Sequence, residues 1–248
     1  MNIRKFFRKR EEIPHCSAVI VAAGSSQRMG NDKMTASLCG IPVLARSLMA
    51  FQRSSHVDEI VVVTRKDKIE ETAKLCRKYG IDKASKVVCG GATRMESALA
   101  GVSEVDRRAK LIAIHDGARP LVPDDVIVRT VYAARDHLSA VPVVKSTDTL
   151  KTVDENGVIT GGIDRERTMR VQTPQIFSAE LIKGALTKAV TDGLALTDDC
   201  SAMEMMGVKT HTVAGDENNI KLTTPRDMIV AEAILKDGGD CLEAWAWL

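Results

Sequence analysis

The feature that most constrains this chain is a short apolar run, Ala18 to Ala23, that stops at Gly24. It is short enough to be one strand buried on both faces. A loop of small and polar residues follows, Gly24 to Gly30, with Arg28 inside it and Lys33 just beyond. Such a loop puts backbone N–H groups at the carboxyl edge of a sheet, where open α/β folds bind ligands. Small residues let a polyanion approach the backbone, and Arg28 and Lys33 can balance its charge. One reading is a phosphate-binding loop with two cations. The other is a first strand and a solvated turn, and loop composition weighs the two evenly. There is no Gly-Lys-Ser/Thr after the first glycine and no G-x-G-x-x-G, which excludes the Walker loop and the dinucleotide fingerprint.

Apolar runs recur along the chain with helical stretches between them. Glu59 to Thr64, Lys86 to Cys89, Leu111 to Ile114 and Ala140 to Val144 read as strands. Pro42 opens one helix, Asp67 caps a second that ends at Tyr79-Gly80, and others span about Thr93 to Val102 and Pro123 to His137. This β-α alternation predicts a doubly wound, mostly parallel sheet. The pattern then changes: Ser146 to Val153 and Val158 to Gly162 flank Asn156-Gly157, a hairpin signal. An antiparallel excursion of this kind serves as an arm or lid, or is a decorative hairpin. The chain returns through Val171 to Phe177 into a helix from about Ala179 to Val190. Thr197-Asp198-Asp199 caps a helix whose Met203, Met205 and Met206 read as core filling. Val208 to Val213 reads as a last strand and Pro225 to Leu235 as a terminal helix.

With 248 residues and 44% hydrophobic content, the chain can bury one sizeable core, and at 3% aromatic that core is aliphatic. A formal net charge of +2 gives no global signature of nucleic acid or of a membrane surface. The six cysteines are scattered, show no zinc-ligand spacing, and read as free thiols in a reducing cytoplasm. Met1 to Arg10 is basic, and no apolar core follows its charges as a secretory signal requires. Residues 1–14 therefore read as an extension before a domain spanning 15–248, with the arm at about 145–170.

Three strand ends hold polar groups: the loop with Arg28 and Lys33, Gly90-Gly91 leading to Arg94 and Ser97, and Asp116 with Arg119. Parallel strands share one carboxyl edge, so these groups converge. Cations beside a strand-end carboxylate suit a metal–nucleotide site, because Mg²⁺ takes one or two carboxylates plus phosphate oxygens. Asp116 is the candidate ligand, against a plain Asp-Gly turn. His115 reads as a satisfied strand-end histidine. Cys200 has no base beside it.

These residues, in this order, resemble the 2-C-methyl-D-erythritol 4-phosphate cytidylyltransferases. The resemblance rests on Ala22-Ala23-Gly24 to Arg28-Met29-Gly30 and Lys33, on Gly90-Gly91 to Arg94 and Ser97, and on His115-Asp116-Gly117-Ala118-Arg119-Pro120. It continues through Asp148-Thr149-Leu150-Lys151, Asp164-Arg165, Gln172-Thr173-Pro174-Gln175 with Phe177, Thr197-Asp198-Asp199 and Asn219-Ile220-Lys221. It implies a Rossmann-like nucleotidyltransferase in which a sugar-alcohol phosphate attacks the α-phosphorus of CTP and pyrophosphate leaves. Arg28, Lys33 and Lys221 would be catalytic. Ala22, Ala23, Gly24, Gly91, Arg94, Ser97 and Asp116 would bind the nucleotide, with Asp116 also holding Mg²⁺ or another divalent cation. Arg119, Thr149, Arg165, Thr173 and Thr197 would bind the methylerythritol phosphate. The arm would reach across a homodimer, so that Thr149 and Arg165 serve the partner's site.

Ala92-Thr93 stands where that family often has an acidic residue, and Thr168-Met169 where it often has Leu-Trp. Cytidylyltransferases for ribitol 5-phosphate share most of these motifs and remain an alternative, to be decided by the arm. A non-catalytic nucleotide-binding protein is a third reading, against which Arg28, Lys33 and Lys221 stand.

Overall fold

A computed structural model describes residues 13–24 and 32–241. The basic segment Met1 to Arg10 and the loop residue Arg28 lie outside the described residues. β1 (Cys16–Val21) runs parallel between β4 (Glu59–Thr64) and β6 (Leu111–Asp116), and β5 (Ala84–Cys89) continues the parallel order beyond β4. On the other side of β6 lies β11 (Gln175–Ser178), antiparallel both to β6 and to β7 (Ser139–Lys145). β10 (Met169–Val171) also pairs antiparallel with β7, and β12 (His211–Ala214) pairs parallel with it. Among the described residues these eight strands form one sheet, so the doubly wound, mostly parallel α/β architecture is present with antiparallel strands beside β7.

The all-apolar strands divide two cores by simple alternation. Ala18, Ile20, Ile60 and Val62 face α1 (Val43–Arg53), α2 (Ile69–Lys78) and α4 (Asp124–His137). Val19, Val61, Val63, Ile112 and Ile114 face α3 (Arg94–Ser103), α5 (Ala179–Thr191) and α6 (Asp199–Met205). Gly101 brings α3 down onto the sheet: a Cβ there would sit 2.3 Å from Val19 Cγ1 and 2.6 Å from Val63 Cγ2. A third cluster, Leu38, Val43, Leu222, Ala231 and Leu235, seats the terminal helix α7 (Pro225–Asp237).

Several local expectations are corrected. Asp67 does not cap a helix. Lys66–Lys68 form a 3₁₀ turn, α2 begins without a side-chain cap, and Asp67 accepts from Arg65 instead. The returning segment, left unassigned by the sequence, is two short strands, with Pro174, which has no N–H for the ladder, between β10 and β11. The last strand starts at His211 rather than Val208. Met203 is core, but Met205 and Met206 are 40% and 46% exposed at the end of the short α6.

The arm is a separate two-stranded sheet, β8 (Lys151–Val153) with β9 (Ile159–Gly162), shorter than the hairpin read from the sequence. Its turn is closed by Asp154 Oδ1, which accepts from the N–H groups of Asn156 and Val158, and by Gly157 at φ +80°. The reading of six free thiols fails for two of them: Cys39 and Cys241 are joined by a disulfide across 202 residues. Cys39 sits in the tight turn between β2 (Ser37–Leu38) and β3 (Ile41–Pro42).

Candidate active site

The carboxyl ends of β1, β5 and β6 open into a cleft of about 360 Å³. Ala23, Gly24, Lys33, Gly91, Arg94, Ser97, Asp116 and Lys221 all line it, which brings together most of the proposed nucleotide and catalytic residues. Ala22 lies buried just beneath, its N–H donating to Val63 O at 2.7 Å. The loop after β5 is packed close. A Cβ on Gly90 would meet Ala23 Cβ at 2.6 Å, and one on Gly91 would meet Glu96 Cβ at 2.4 Å. Ser97 Oγ accepts from Gly91 N–H and donates to Thr93 O. Glu96 serves the backbone of this loop from the first turn of α3. Its Oε2 accepts from Ala92 and Thr93 N–H at 2.6 and 3.0 Å and completes a capping box with Thr93.

Asp116, the last residue of β6, is the electrostatic centre. Its Oδ1 accepts from Arg94 Nε and Nη2 at 3.3 and 3.2 Å. Its Oδ2 lies 2.7 Å from Lys221 Nζ and 3.9 Å from Arg119 Nε. Burial alone would raise this carboxyl, but Arg94, Lys221 and Arg119 outweigh it and hold the group well below the usual carboxylate range. Burial works likewise against the Arg94 charge, and Asp199 and Asp116 hold it protonated.

The network behind Asp116 fixes a proton pattern. His115 Nε2 faces the Arg119 carbonyl at 3.1 Å, and a carbonyl only accepts, so Nε2 carries the proton. Nδ1 then accepts from Thr173 Oγ1 at 3.0 Å, and the same Oγ1 accepts from Asp116 N–H at 3.1 Å. Burial pushes the imidazole down to about 4, so His115 is the satisfied, neutral histidine expected from the sequence. The hydroxyl proton of Thr173 is committed to His115, which leaves Thr173 a lone pair to offer a substrate.

Lys221 is aimed from the loop before α7. Asn219, fully buried, donates to Thr173 O at 2.9 Å, and its own carbonyl accepts from Arg119 Nη1 at 2.6 Å. Gln172 Nε2 donates to Asp216 O at 2.7 Å and closes the loop. Gln172, Asn219 and Asp199 were not singled out from the sequence as site residues. Each stands in a run that carries the resemblance, beside Thr173, Lys221 and Thr197, but was given no role in the site.

The proposed acceptor residues do not all gather here. Arg119 and Thr173 lie beside Asp116 through these bonds. Thr197 is exposed two residues before Asp199 and lies 3.4 Å from Ser201 Oγ. Thr149 and Arg165 lie in the arm on either side of its strand pair and are exposed, with Arg165 Nη1 donating to Thr147 O at 3.4 Å. They do not line the cleft of their own chain. A larger cleft of about 530 Å³ lies between α1, the Pro120–Asp124 loop and α7, and contains none of the proposed site residues. Cys200 is buried, and burial pushes its thiol up, as does Asp198 beside it. It is no nucleophile.

The family model for 2-C-methyl-D-erythritol 4-phosphate cytidylyltransferase matches residues 16–237. A protein of that name from Caldanaerobacter subterraneus subsp. tengcongensis is 42% identical over 223 residues, covering 89% of this chain and 98% of its own. One from Dehalococcoides mccartyi is 40% identical, covering 89% and 96%. Among solved structures, the 4-diphosphocytidyl-2C-methyl-D-erythritol synthase of Anaerococcus prevotii superposes with a TM-score of 0.80 at 30% identity, covering 90% of this chain and 96% of its own.

Proposed function

The chain belongs to the 2-C-methyl-D-erythritol 4-phosphate cytidylyltransferase family, and we propose that its strand-end cleft is where CTP and the acceptor phosphate react. The activity is that of the family: CTP and 2-C-methyl-D-erythritol 4-phosphate give 4-diphosphocytidyl-2-C-methyl-D-erythritol and pyrophosphate, a step of isoprenoid biosynthesis. An oxygen of the acceptor phosphate forms a bond to the α-phosphorus as the bond from that phosphorus to the β-bridging oxygen breaks. No proton transfer is needed at the reacting atoms, so catalysis is positioning and charge stabilisation.

The observation that carries the site assignment is the convergence of Arg94, Arg119 and Lys221 on Asp116 beside the close-packed glycine loop. Backbone groups of Ala22 to Gly24 and Gly91, with Ser97, frame the nucleoside. Lys33 and Arg28 hold the triphosphate, and Lys221 meets the α-phosphoryl oxygens from the opposite wall. Arg119, Thr173 and Thr197 receive the acceptor.

Among the described residues no three carboxylate, histidine or cysteine side chains cluster as metal ligands. The donor set nevertheless suits Mg²⁺, which accepts a single carboxylate when phosphates complete its shell. Asp116, kept ionised by its cations, would hold the ion. When bound, the ion supplies charge neutralisation on the triphosphate.

We also assign a homodimer built through the arm. The arm and the strand after it expose Val153, Val158, Ile159, Ile163, Met169 and Val171, and Thr149 and Arg165 are then available to the partner's cleft. We take residues 15–248 as the nucleotidyltransferase domain and place the enzyme in the cytoplasm, where CTP is available. The Cys39–Cys241 bond is uncommon there.

The test is pyrophosphate release from CTP and Mg²⁺ with methylerythritol 4-phosphate or ribitol 5-phosphate supplied in parallel. Release with the first alone supports this reading. Release with the second alone keeps the chemistry and overturns the acceptor. Release with neither, from folded protein that binds CTP, overturns the enzymatic assignment.

A further inference from the structure

Both carboxylate oxygens of Asp116 are engaged by cations, so an incoming nucleotide has to compete with Arg94 at Oδ1 and with Lys221 at Oδ2. Lys221 Nζ sits on Oδ2, but that side chain is 39% exposed and can follow an incoming phosphate. Arg94 is different. It lines the cleft and donates to Oδ1 through both Nε and Nη2, where Lys221 makes a single contact to Oδ2. Its side chain is 32% exposed, so stripping it of its carboxylate leaves a charge that is only partly solvated, which is unfavourable.

The structure holds a second carboxylate for this cation. Arg94 Nη2 lies 2.8 Å from Asp199 Oδ2. Asp199 is the first residue of α6, its side chain is 1% exposed, and it does not line the cleft. Among the described residues Oδ2 has no hydrogen-bond partner beyond this ion pair. Arg94 therefore bridges two carboxylates, one facing the cleft and one behind the wall. Burial raises the Asp199 carboxyl, and Arg94 opposes the rise.

We propose that Asp199 is a positioning residue of the nucleotide site: it keeps Arg94 paired from behind when Asp116 releases that guanidinium to take the incoming nucleotide. The proposal rests on the reading of Asp116 as the nucleotide's ligand. Without Asp199, Asp116 is the one carboxylate left to Arg94 among the described residues, and the pair stays closed. Without Arg94, Asp199 has nothing to position.

The experiment is calorimetric titration of CTP, with Mg²⁺, into the full chain and four variants. D199N weakens CTP binding by about tenfold, the scale on which supporting partners act at such sites. D199E, which keeps the charge, restores most of it. R94M and R94M/D199N bind CTP equally, because the competitor for Asp116 is gone in both. Unchanged affinity in D199N overturns the proposal, and so does an equal loss in the R94M background, which would mean a merely structural role. Should D199N not fold, the comparison of R94M with R94M/D199N decides alone: equal affinities support the proposal and a tenfold loss overturns it. D116N separates the two layers, since wild-type affinity in that variant sinks the reading of Asp116 itself.

Discussion

The same substitution in two helices should have opposite effects. Gly101 in α3 faces the sheet, and an added Cβ would lie 2.3 Å from Val19 Cγ1 and 2.6 Å from Val63 Cγ2. Carbon atoms prefer about 3.5–4 Å, so in Gly101→Ala the helix has to move outward by about 1 Å. Overpacking of this kind costs about 1–3 kcal/mol, and the better helix propensity of alanine offsets about 1 kcal/mol of it. We expect a net loss of up to about 2 kcal/mol, which for a chain of this size lowers Tm by up to about 8 °C. Gly184 in α5 is exposed, with nothing within 4 Å of its would-be Cβ. Gly184→Ala should therefore gain about 0.5–1 kcal/mol and raise Tm. The displacement in α3 also reaches function, because the first turn of that helix carries Arg94 and Ser97. A misplacement of about 1 Å can cost about 10²-fold in rate, so kcat/KM should fall in Gly101→Ala and stay level in Gly184→Ala. Thermal melts and steady-state kinetics on both variants suffice. If Gly101→Ala melts at or above the wild type, the close approach of α3 to the sheet is refuted.

Lys33→Ala and Lys221→Met should each lower kcat by about 10²–10³-fold, the usual cost of one transition-state donor; normal turnover in either removes that residue from the mechanism. If the arm serves the partner's site, mixing inactive Lys33→Ala with inactive Arg165→Ala should recover activity in mixed dimers, and a mixture that stays dead argues for a site built within one chain. Glu59 is buried at the other end of the sheet, where its carboxylate accepts from Ser17 Oγ, Ser85 Oγ and Asp106 N–H. Burial raises its pKa, but these three bonds prevail and hold it below its ordinary 4.5. The stability it supplies is therefore present above the ordinary carboxylate range and is lost as pH falls through its lowered value. Glu59→Gln should cost about 2 kcal/mol near neutrality, with a deficit that shrinks in acid; a gap between the two denaturation curves that does not change with pH would contradict this.

The parallel half of the fold was legible because β1, β4 and β6 hold near-continuous apolar runs, with a glycine shortly after β1 and a carboxylate at the end of β6. That signature arises when both faces of a strand are covered. The antiparallel half was less so. Whether Gln175 to Ser178 lies between β6 and β7 depends on contacts more than thirty residues apart, and nothing in its own residues states them. At the site, the strand-end placement of Asp116, Gly91 and Lys33 followed from topology. The partnership of Arg94 with Asp199 did not, since it joins the start of α3 to the start of α6 across a distance only the folded chain closes. The methionines after Met203 failed for a local reason: α6 has seven residues, so its apolar face ends before Met205 turns inward.

The bond between Cys39 and Cys241 turns most of the chain into a ring. The helices α1 to α7 and the strands β3 to β12 belong to it, while β1, at the centre of the sheet, lies on the open thread outside. A protease that cuts once in the exposed arm, at Arg165 or Arg167, severs the backbone without releasing a fragment. The nicked molecule keeps its mass on a non-reducing gel and separates into two pieces only when a thiol is added. Damage to the arm is thus invisible by size until the ring itself is opened.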